Sequence, residues 1–206
     1  LPLTQEEFPQ LRISFEGSNR AQQNTMKGVQ QGSYISIMLI FSLLALQFRS
    51  YLQPLIVMSA IPFGIVGAVM GHYLLGFTLS IVSVLGMVAL SGIVVNDSLI
   101  MVDFINRFRE QGHRLREAVL EAGVRRFRPI VLTTLTTFFG LMPMMFETSR
   151  QARFLIPMAI SLAFGVLFAT FITLVLVPVF YYLLNDFLVL FGQKKRDVLE
   201  KSATAD

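Results

Sequence analysis

Residues 77–105 read FTLSIVSVLGMVALSGIVVNDSLIMVDFI, an apolar run whose amide and carboxylate side chains are limited to Asn96, Asp97 and Asp103. The hydrocarbon core of a bilayer is ~30 Å thick, and a helix that rises ~1.5 Å per residue crosses it with ~20 apolar residues. This run is long enough to cross. It therefore predicts a membrane-spanning helix that carries a few polar groups in its interior.

The rest of the chain has the same character. Its 206 residues are 54% hydrophobic and only 15% charged, whereas a soluble domain carries roughly 25% charged residues. A buried helix of a soluble α-protein does not account for this deficit. We predict an all-α membrane protein, a bundle of about five transmembrane helices. The spans are expected at residues 32–48, 52–75, 77–105, 129–146 and 154–184.

The segments outside the spans are more polar. Residues 11–16 alternate apolar and polar side chains, which predicts a short strand. A lone strand is unstable, so it is expected to complete a sheet with strands upstream, in a chain that is part of a longer protein. Residues 113–123 predict an amphipathic helix on the membrane surface. Residues 1–31 are interpreted as the end of an external region with a linker, and 187–206 as a polar tail.

Arginine and lysine residues indicate the orientation of the bundle. They concentrate in the loop after the third span and in the tail, while the loop at 72–78 has none. Cytoplasmic loops carry such an excess, so the tail is predicted to be cytoplasmic and the N-terminal strand to lie outside. The partner implied by this placement is the lipid bilayer, and nucleic acid is not expected.

Asp97 is the carboxylate that lies deepest in an apolar surrounding. It precedes Asp103 by six residues, which places it ~9 Å deeper along the helix. Burial favours the protonated carboxyl form unless a cation pairs with it. Two roles stay open on this basis, a proton carrier or a hydrogen-bonding residue between helices.

Asn96 shares a helical face with small or apolar residues, namely Leu85, Ala89 and Gly92. Small residues allow another helix to approach closely. Asn96 is then expected to form a hydrogen bond across that contact.

The fourth span carries a matching polar stripe. Arg126, Thr133, Thr137 and Gly140 fall on one side of a helix, and Thr134 and Thr136 complete four hydroxyls within five residues. Each hydroxyl can bond to a carbonyl of its own helix. The alternatives are a hydroxyl relay or a bond to a neighbouring helix.

Enzyme signatures are missing from the sequence. It contains no HExxH, Gly-x-Ser-x-Gly, phosphate-binding or dinucleotide-binding motif. It also has no cysteine, and its two histidines lie away from the span centres, so a metal site is not expected. We predict a protein that is not an enzyme, uses no cofactor, and draws any transport energy from an ion gradient or from a partner.

Two motifs resemble one known superfamily. Residues 92–104, GIVVNDSLIMVDF, resemble the central helix in the second half of the resistance–nodulation–division superfamily. Residues 125–134, RRFRPIVLTT, continuing to the GLMP at 140–143, resemble its next helix. The chain is most similar to the acriflavine-resistance-type multidrug efflux pumps of Gram-negative inner membranes, and the order of its elements matches throughout.

The resemblance implies a twelve-span proton/drug antiporter, a secondary active transporter driven by the proton gradient. This chain would supply the last five spans and the end of a periplasmic porter region. The implied partners are the first-half helices and periplasmic domains of the same pump, two further copies in a homotrimer, a periplasmic adaptor and an outer-membrane channel. The N-terminus would be periplasmic and the C-terminus cytoplasmic.

The resemblance also implies a proton relay. By motif position it assigns Asn96, Arg126 and Thr133 to the relay, and Asp97 beside Asn96 is a further candidate. The better-known pumps have Lys in place of Asn96 and an amide in place of Asp97, so either Asp97 handles protons here or Arg126 is the only cation nearby. Supporting polar positions are Thr134, Thr137 and Asp103. The remaining alternatives are a superfamily relative that exports lipid or assists protein secretion, and a membrane scaffold or sensor without transport.

Overall fold

The computed structural model describes residues 17–149 and 152–190, and within these ranges the chain is helical throughout apart from short turns. The described residues form six helices: α1 Gly17–Phe48, α2 Leu52–Met58, α3 Ile61–Leu75, α4 Ile81–Glu110, α5 Leu115–Met145 and α6 Ala152–Leu190. The described residues contain no strand. The predicted strand at 11–16 and most of the predicted tail lie outside them, so they stay predictions, and residues 187–190 belong to α6.

Four segments of the described chain are long and apolar enough to cross a membrane: Arg20–Phe48, Leu52–Leu75, Ile81–Glu110 and Ala152–Phe187. The prediction of an all-α membrane bundle is confirmed. The predicted span at 129–146 lies in α5, which does not reach the same level of hydropathy. Its apolar part contains four threonines and two prolines, and these lower its mean hydropathy.

Helix α1 begins upstream of the predicted span. Residues 17–31 were predicted to belong to an external region and linker, but they continue the same helix. Their Gln, Ala, Met and Lys side chains favour helix even though they are not apolar. The chain divides within α1 into two compact units, Leu1–Ser36 and Ile37–Asp206. The helix packing described below belongs to the second unit.

The predicted surface helix at 113–123 is not a separate element. Helix α5 runs from Leu115 through Gly123 and Pro129 without interruption. The apolar face that was expected to lie on the membrane is buried in the protein, where Ala118, Val119 and Ala122 join a cluster with Met101 and Ile105 of α4. Because α4 covers this face, it needs no lipid.

The second span consists of two helices. Helix α2 ends at Met58 and α3 begins at Ile61. Pro62 lacks the N–H that a continuous helix would donate to the carbonyl of Met58, which explains the break. Next to the break, the Ser59 hydroxyl donates to the Ile56 carbonyl oxygen at 2.6 Å.

Helix α6 lies at the centre of the bundle and packs against α2, α3, α4 and α5. Glycines bring the backbones close at several of these contacts. A Cβ added to Gly67 would lie 2.4 Å from Cβ of Phe168, and one added to Gly71 would lie 2.5 Å from Cβ of Phe164. Gly165 of α6 receives the side chain of Leu90 from α4 in the same way. Such contacts are the usual basis of helix packing in membranes.

A buried polar cluster fixes one end of α3, α4 and α6. The ring of His72 is 2% exposed, with Nδ1 2.9 Å from the Ala68 carbonyl oxygen and Nε2 2.8 Å from Oγ of Ser83. The carbonyl requires a proton on Nδ1, so Nε2 accepts the Ser83 hydroxyl proton. The Ser161 hydroxyl donates to the Ser83 carbonyl oxygen at 3.0 Å. His72 therefore has a structural role between three helices.

Candidate functional site

The predicted face of α4 is present, and the described residues leave it uncovered. Leu85, Ala89, Gly92 and Asn96 are all exposed. A Cβ added at Gly92 would meet nothing within 4 Å. Apolar and small residues flank a polar amide on this face, which gives it the composition of a helix–helix contact surface.

Asp97 lies at the edge of that face. It is half-buried, while the next residue, Ser98, is fully buried and donates to the Val94 carbonyl oxygen. Within the described part of the chain, the side chains of Asn96 and Asp97 form no hydrogen bond or ion pair. The carboxylate is therefore placed where a group outside this chain can reach it.

Arg126 of α5 reaches α4 closer to its C-terminus. Its guanidinium carbon lies 5.1 Å from the ring centroid of Phe104, a cation–π contact. Nε of Arg126 is buried and has no hydrogen-bond partner among the described residues. Phe104 follows Asp97 by seven residues, roughly 10 Å along the helix axis. Arg126 is therefore separated from Asp97 along the axis of α4, and the two side chains do not pair with each other.

The four threonines of α5 adopt both arrangements considered from the sequence. The Thr133 hydroxyl donates to carbonyl oxygens of its own helix, at 3.1 Å to Pro129 and 2.8 Å to Ile130. Thr136 and Thr137 also bond to their own helix. Thr134 is buried and bonds to Thr170 of α6, with 2.7 Å between the two Oγ1 atoms.

The Thr134–Thr170 bond can be tested by a double-mutant cycle. We expect Thr134→Val to destabilise the bundle by about 1 kcal/mol, because the Thr170 hydroxyl then lacks its buried partner. Hydrogen bonds between membrane helices average about 0.6 kcal/mol of coupling. Unfolding of the single variants and of Thr134→Val/Thr170→Val measures that coupling. Strictly additive losses would show that the two hydroxyls do not interact.

Asp103 lies apart from Asp97. Its carboxylate forms an ion pair with Arg107 on the next turn, with 3.0 Å between Oδ2 and Nε. The charged and amide candidates thus fall into three places: Asn96 and Asp97 beside the exposed face of α4, Arg126 beside Phe104, and Asp103 near the end of α4. Thr133 and Thr137 remain bound to α5 itself, and Thr134 joins α5 to α6.

A second polar network, which was not predicted from the sequence, lies between α2, α4 and α6. The amides of Gln53 and Asn106 bond reciprocally, at 3.3 Å and 2.9 Å. The hydroxyl of Tyr181 donates to Oδ1 of Asn106, and Nη1 of Arg109 lies 3.5 Å from the Tyr181 oxygen. This network joins α2, α4 and α6. One available signal was that Asn106 follows Asp103 by three residues, on the same side of α4.

A model of the AcrB/AcrD/AcrF family matches residues 3–185. The chain belongs to this family. The resemblance to resistance–nodulation–division transporters, inferred from the motifs in α4 and α5, is thereby confirmed.

Individual family members cover much more sequence than this chain. The multidrug resistance protein MdtC of Proteus mirabilis (strain HI4320) is 30% identical over 194 residues, which are 94% of this chain and 19% of that protein. The cobalt-zinc-cadmium resistance protein CzcA of Cupriavidus metallidurans is 34% identical over 149 residues, 72% of this chain and 14% of that protein. The chain thus spans less than a fifth of either family member.

A solved structure supports the same assignment. Crystal form II of a heavy metal efflux pump matches with a TM-score of 0.73 and 29% identity, over 83% of this chain and 16% of that pump. Crystal form I gives the same TM-score at 27% identity, over 90% of this chain. The names of these similar proteins refer to both multidrug and metal resistance. The likeness therefore supports membrane transport and efflux as a class without selecting a cargo.

Proposed function

We propose that the protein to which this chain belongs is a proton-driven exporter, in which Asp97 takes up and releases the transported proton. One observation carries the proposal. Asp97 is an ionisable side chain in the interior of a membrane-spanning helix, half-buried and unpaired among the described residues. Intramembrane carboxylates are costly to maintain and most often mark ion or proton pathways.

The surroundings of Asp97 indicate how protonation could alter packing. A neutral Asp97 allows a facing helix to pack on Leu85, Ala89 and Gly92 of α4. A charged Asp97 requires a hydrogen-bond donor or cation, because charge in an apolar medium is poorly solvated. Asn96 can donate to the facing helix but cannot carry the charge that a Lys would. Arg126, which contacts the ring of Phe104, is the nearby cation, roughly two helical turns from Asp97 along the bundle. Thr133 follows Arg126 by seven residues on α5, farther into the membrane.

Membership of the family is the basis for proposing the remaining parts of the pump and its partners. We infer that first-half helices of the same pump cover the exposed face of α4, and that the pump works as a homotrimer with a periplasmic adaptor and an outer-membrane channel. The inner membrane is the proposed location, with the N-terminal side periplasmic and the arginine-rich end of α4 and start of α5 cytoplasmic. The proton gradient supplies the energy, and no cofactor is needed.

The proposed cargo is a drug-like organic molecule, as the name of MdtC suggests for that protein. Metal-ion export is the second candidate, favoured by the similarity to CzcA and to the heavy metal efflux pump. The described residues contain no group of three or more His, Cys, Asp or Glu side chains that could hold a metal ion. A metal cargo would thus need ligands from other parts of the pump.

Reconstitution tests the proposal. The full-length protein is placed in proteoliposomes that contain a pH-sensitive dye, and a proton gradient is imposed. We expect cargo movement and proton flux to occur together and to stop when a protonophore collapses the gradient. Protein-free vesicles give the leak rate. Cargo movement that continues unchanged without the gradient would contradict proton coupling, and proton flux absent with every cargo would favour a scaffold.

A further inference from the structure

A basic cleft of about 870 Å³ opens at one end of the bundle, where α1 and α4 end and α2 and α5 begin. We call it the arginine cleft. Its charged lining consists of Arg49, Arg107, Arg109, Arg114, Asp103 and Glu110. Four guanidinium groups thus face two carboxylates, and Asp103 is already paired with Arg107. The surplus positive charge favours an anionic ligand.

Hydrogen bonds hold the floor of the arginine cleft. Tyr181 is 3% exposed, and its hydroxyl donates to Asn106, whose amide is held by Gln53. Arg109 lies against the Tyr181 oxygen at 3.5 Å. The phenol of Tyr181, which is fixed by Asn106, thus limits the movement of the Arg109 side chain. Such support reduces the ordering cost when an anion binds.

The backbone at Arg49 provides an independent indication. Arg49 has φ of 49°, and it is the one non-glycine residue with positive φ in the described chain. It follows the last residue of α1, a position where helices commonly end in the left-handed conformation and where glycine is favoured. An arginine there costs conformational energy that glycine would not. Its side chain lines the arginine cleft, which offers a reason for an arginine at this position.

The location selects the source of the anion. The membrane-crossing segments Leu52–Leu75 and Ile81–Glu110 begin and end at this cleft, so it lies at the level of the lipid headgroups. Beside it, Tyr51, which precedes α2, is 78% exposed and Leu55 of α2 is 55% exposed, so the described residues leave an apolar surface uncovered there. A phosphate in the cleft and hydrocarbon along α2 would satisfy both surfaces.

We propose that the arginine cleft binds the phosphate headgroup of an anionic phospholipid, with the acyl chains along the exposed side of α2. The inference requires that the bundle lies in a membrane and does not depend on proton-driven export. Phosphate is the shared chemistry of a lipid headgroup and of soluble phosphate, and the lipid is the proposed source.

The test uses the full-length protein in detergent micelles, titrated with phosphatidylglycerol, with phosphatidylcholine, and separately with inorganic phosphate. Binding is followed by native mass spectrometry and by the shift in melting temperature. Arg49→Gly removes a cleft charge and relieves the left-handed strain, so this variant should fold at least as well as wild type. Arg109→Gln removes a second charge. Arg116→Gln is the matched control, since Arg116 is exposed near the same end but does not line the cleft.

We expect phosphatidylglycerol to bind more tightly than phosphatidylcholine, and its affinity to fall roughly fivefold for Arg49→Gly and again for Arg109→Gln, as for basic residues at a membrane surface. Arg116→Gln should change it less than twofold. Three results would overturn the proposal: no preference for phosphatidylglycerol, an equal loss in Arg116→Gln, or displacement of the lipid by millimolar inorganic phosphate. The last result would assign the cleft to a soluble anion.

Discussion

Replacing Asp97 by Asn is expected to reduce proton-driven export to background while the bundle remains folded. The amide is nearly the same size and can still form hydrogen bonds, but it cannot exchange a proton at physiological pH. Within the described structure Asp97 has no ion pair to lose, and its side chain lies at the edge of the exposed face of α4. A loss of function in this variant would therefore follow from lost titration more than from lost packing.

The measurement is efflux by the full-length pump in cells, with the amount of protein in the membrane matched between variants. Asp97→Glu keeps a titratable group and should retain part of the activity. Asp186→Asn is the matched control for a carboxylate-to-amide change, because Asp186 is exposed near the end of α6. If Asp97→Asn exports at the wild-type rate, the carboxylate has a structural role and the proton must use other groups.

Replacing Gly67 by Ala is expected to produce the largest loss of stability among single methyl additions in the described bundle. The new Cβ would lie 2.4 Å from Cβ of Phe168 and 2.8 Å from the Phe164 carbonyl oxygen. Neither neighbour can move by rotating a side chain, so α3 and α6 must separate. We expect a loss of about 3 kcal/mol, at the upper end of the range for overpacked cores.

Unfolding by sodium dodecyl sulfate, followed by circular dichroism, measures this loss. Gly123→Ala is the control, since an added Cβ meets nothing within 4 Å in α5. There the alanine should stabilise the helix by about 0.5–1 kcal/mol, because a glycine in a helix interior costs conformational entropy. Equal midpoints for Gly67→Ala and wild type would mean that the α3–α6 contact is looser than the structure indicates.

The sequence was sufficient for the parts of the fold that depend on long apolar runs. The predicted span at 77–105 corresponds to α4, Ile81–Glu110. It could be predicted because so long an apolar run is typical of a membrane-spanning helix. The amphipathic helix predicted at 113–123 forms the first part of α5 in the structure. Its amphipathic pattern shows that one face is apolar, but whether lipid or protein covers that face depends on where α4 lies.

The polar positions show the same limit. Helical spacing correctly placed Leu85, Ala89, Gly92 and Asn96 on one face. The neighbours of Thr134 and His72 could not be predicted, because Thr170 lies 36 residues away and Ser83 becomes a neighbour through the turn after Gly76. Bonds of this kind depend on the packing of α6 and on loop geometry, and single-sequence periodicity contains neither.

The central position of α6 has a consequence for how the protein assembles during synthesis. Helices α3, α4 and α5 precede α6 in the chain, yet each packs against it. Until residues 152–190 have been synthesised, these helices can enter the bilayer but cannot form their contacts with α6, and Gly67 and Gly71 of α3 lack the partners that α6 provides. Assembly therefore has an early insertion stage and a late docking stage, and a translational pause or a stop codon before Ala152 would leave a membrane-inserted intermediate for quality-control proteases to recognise.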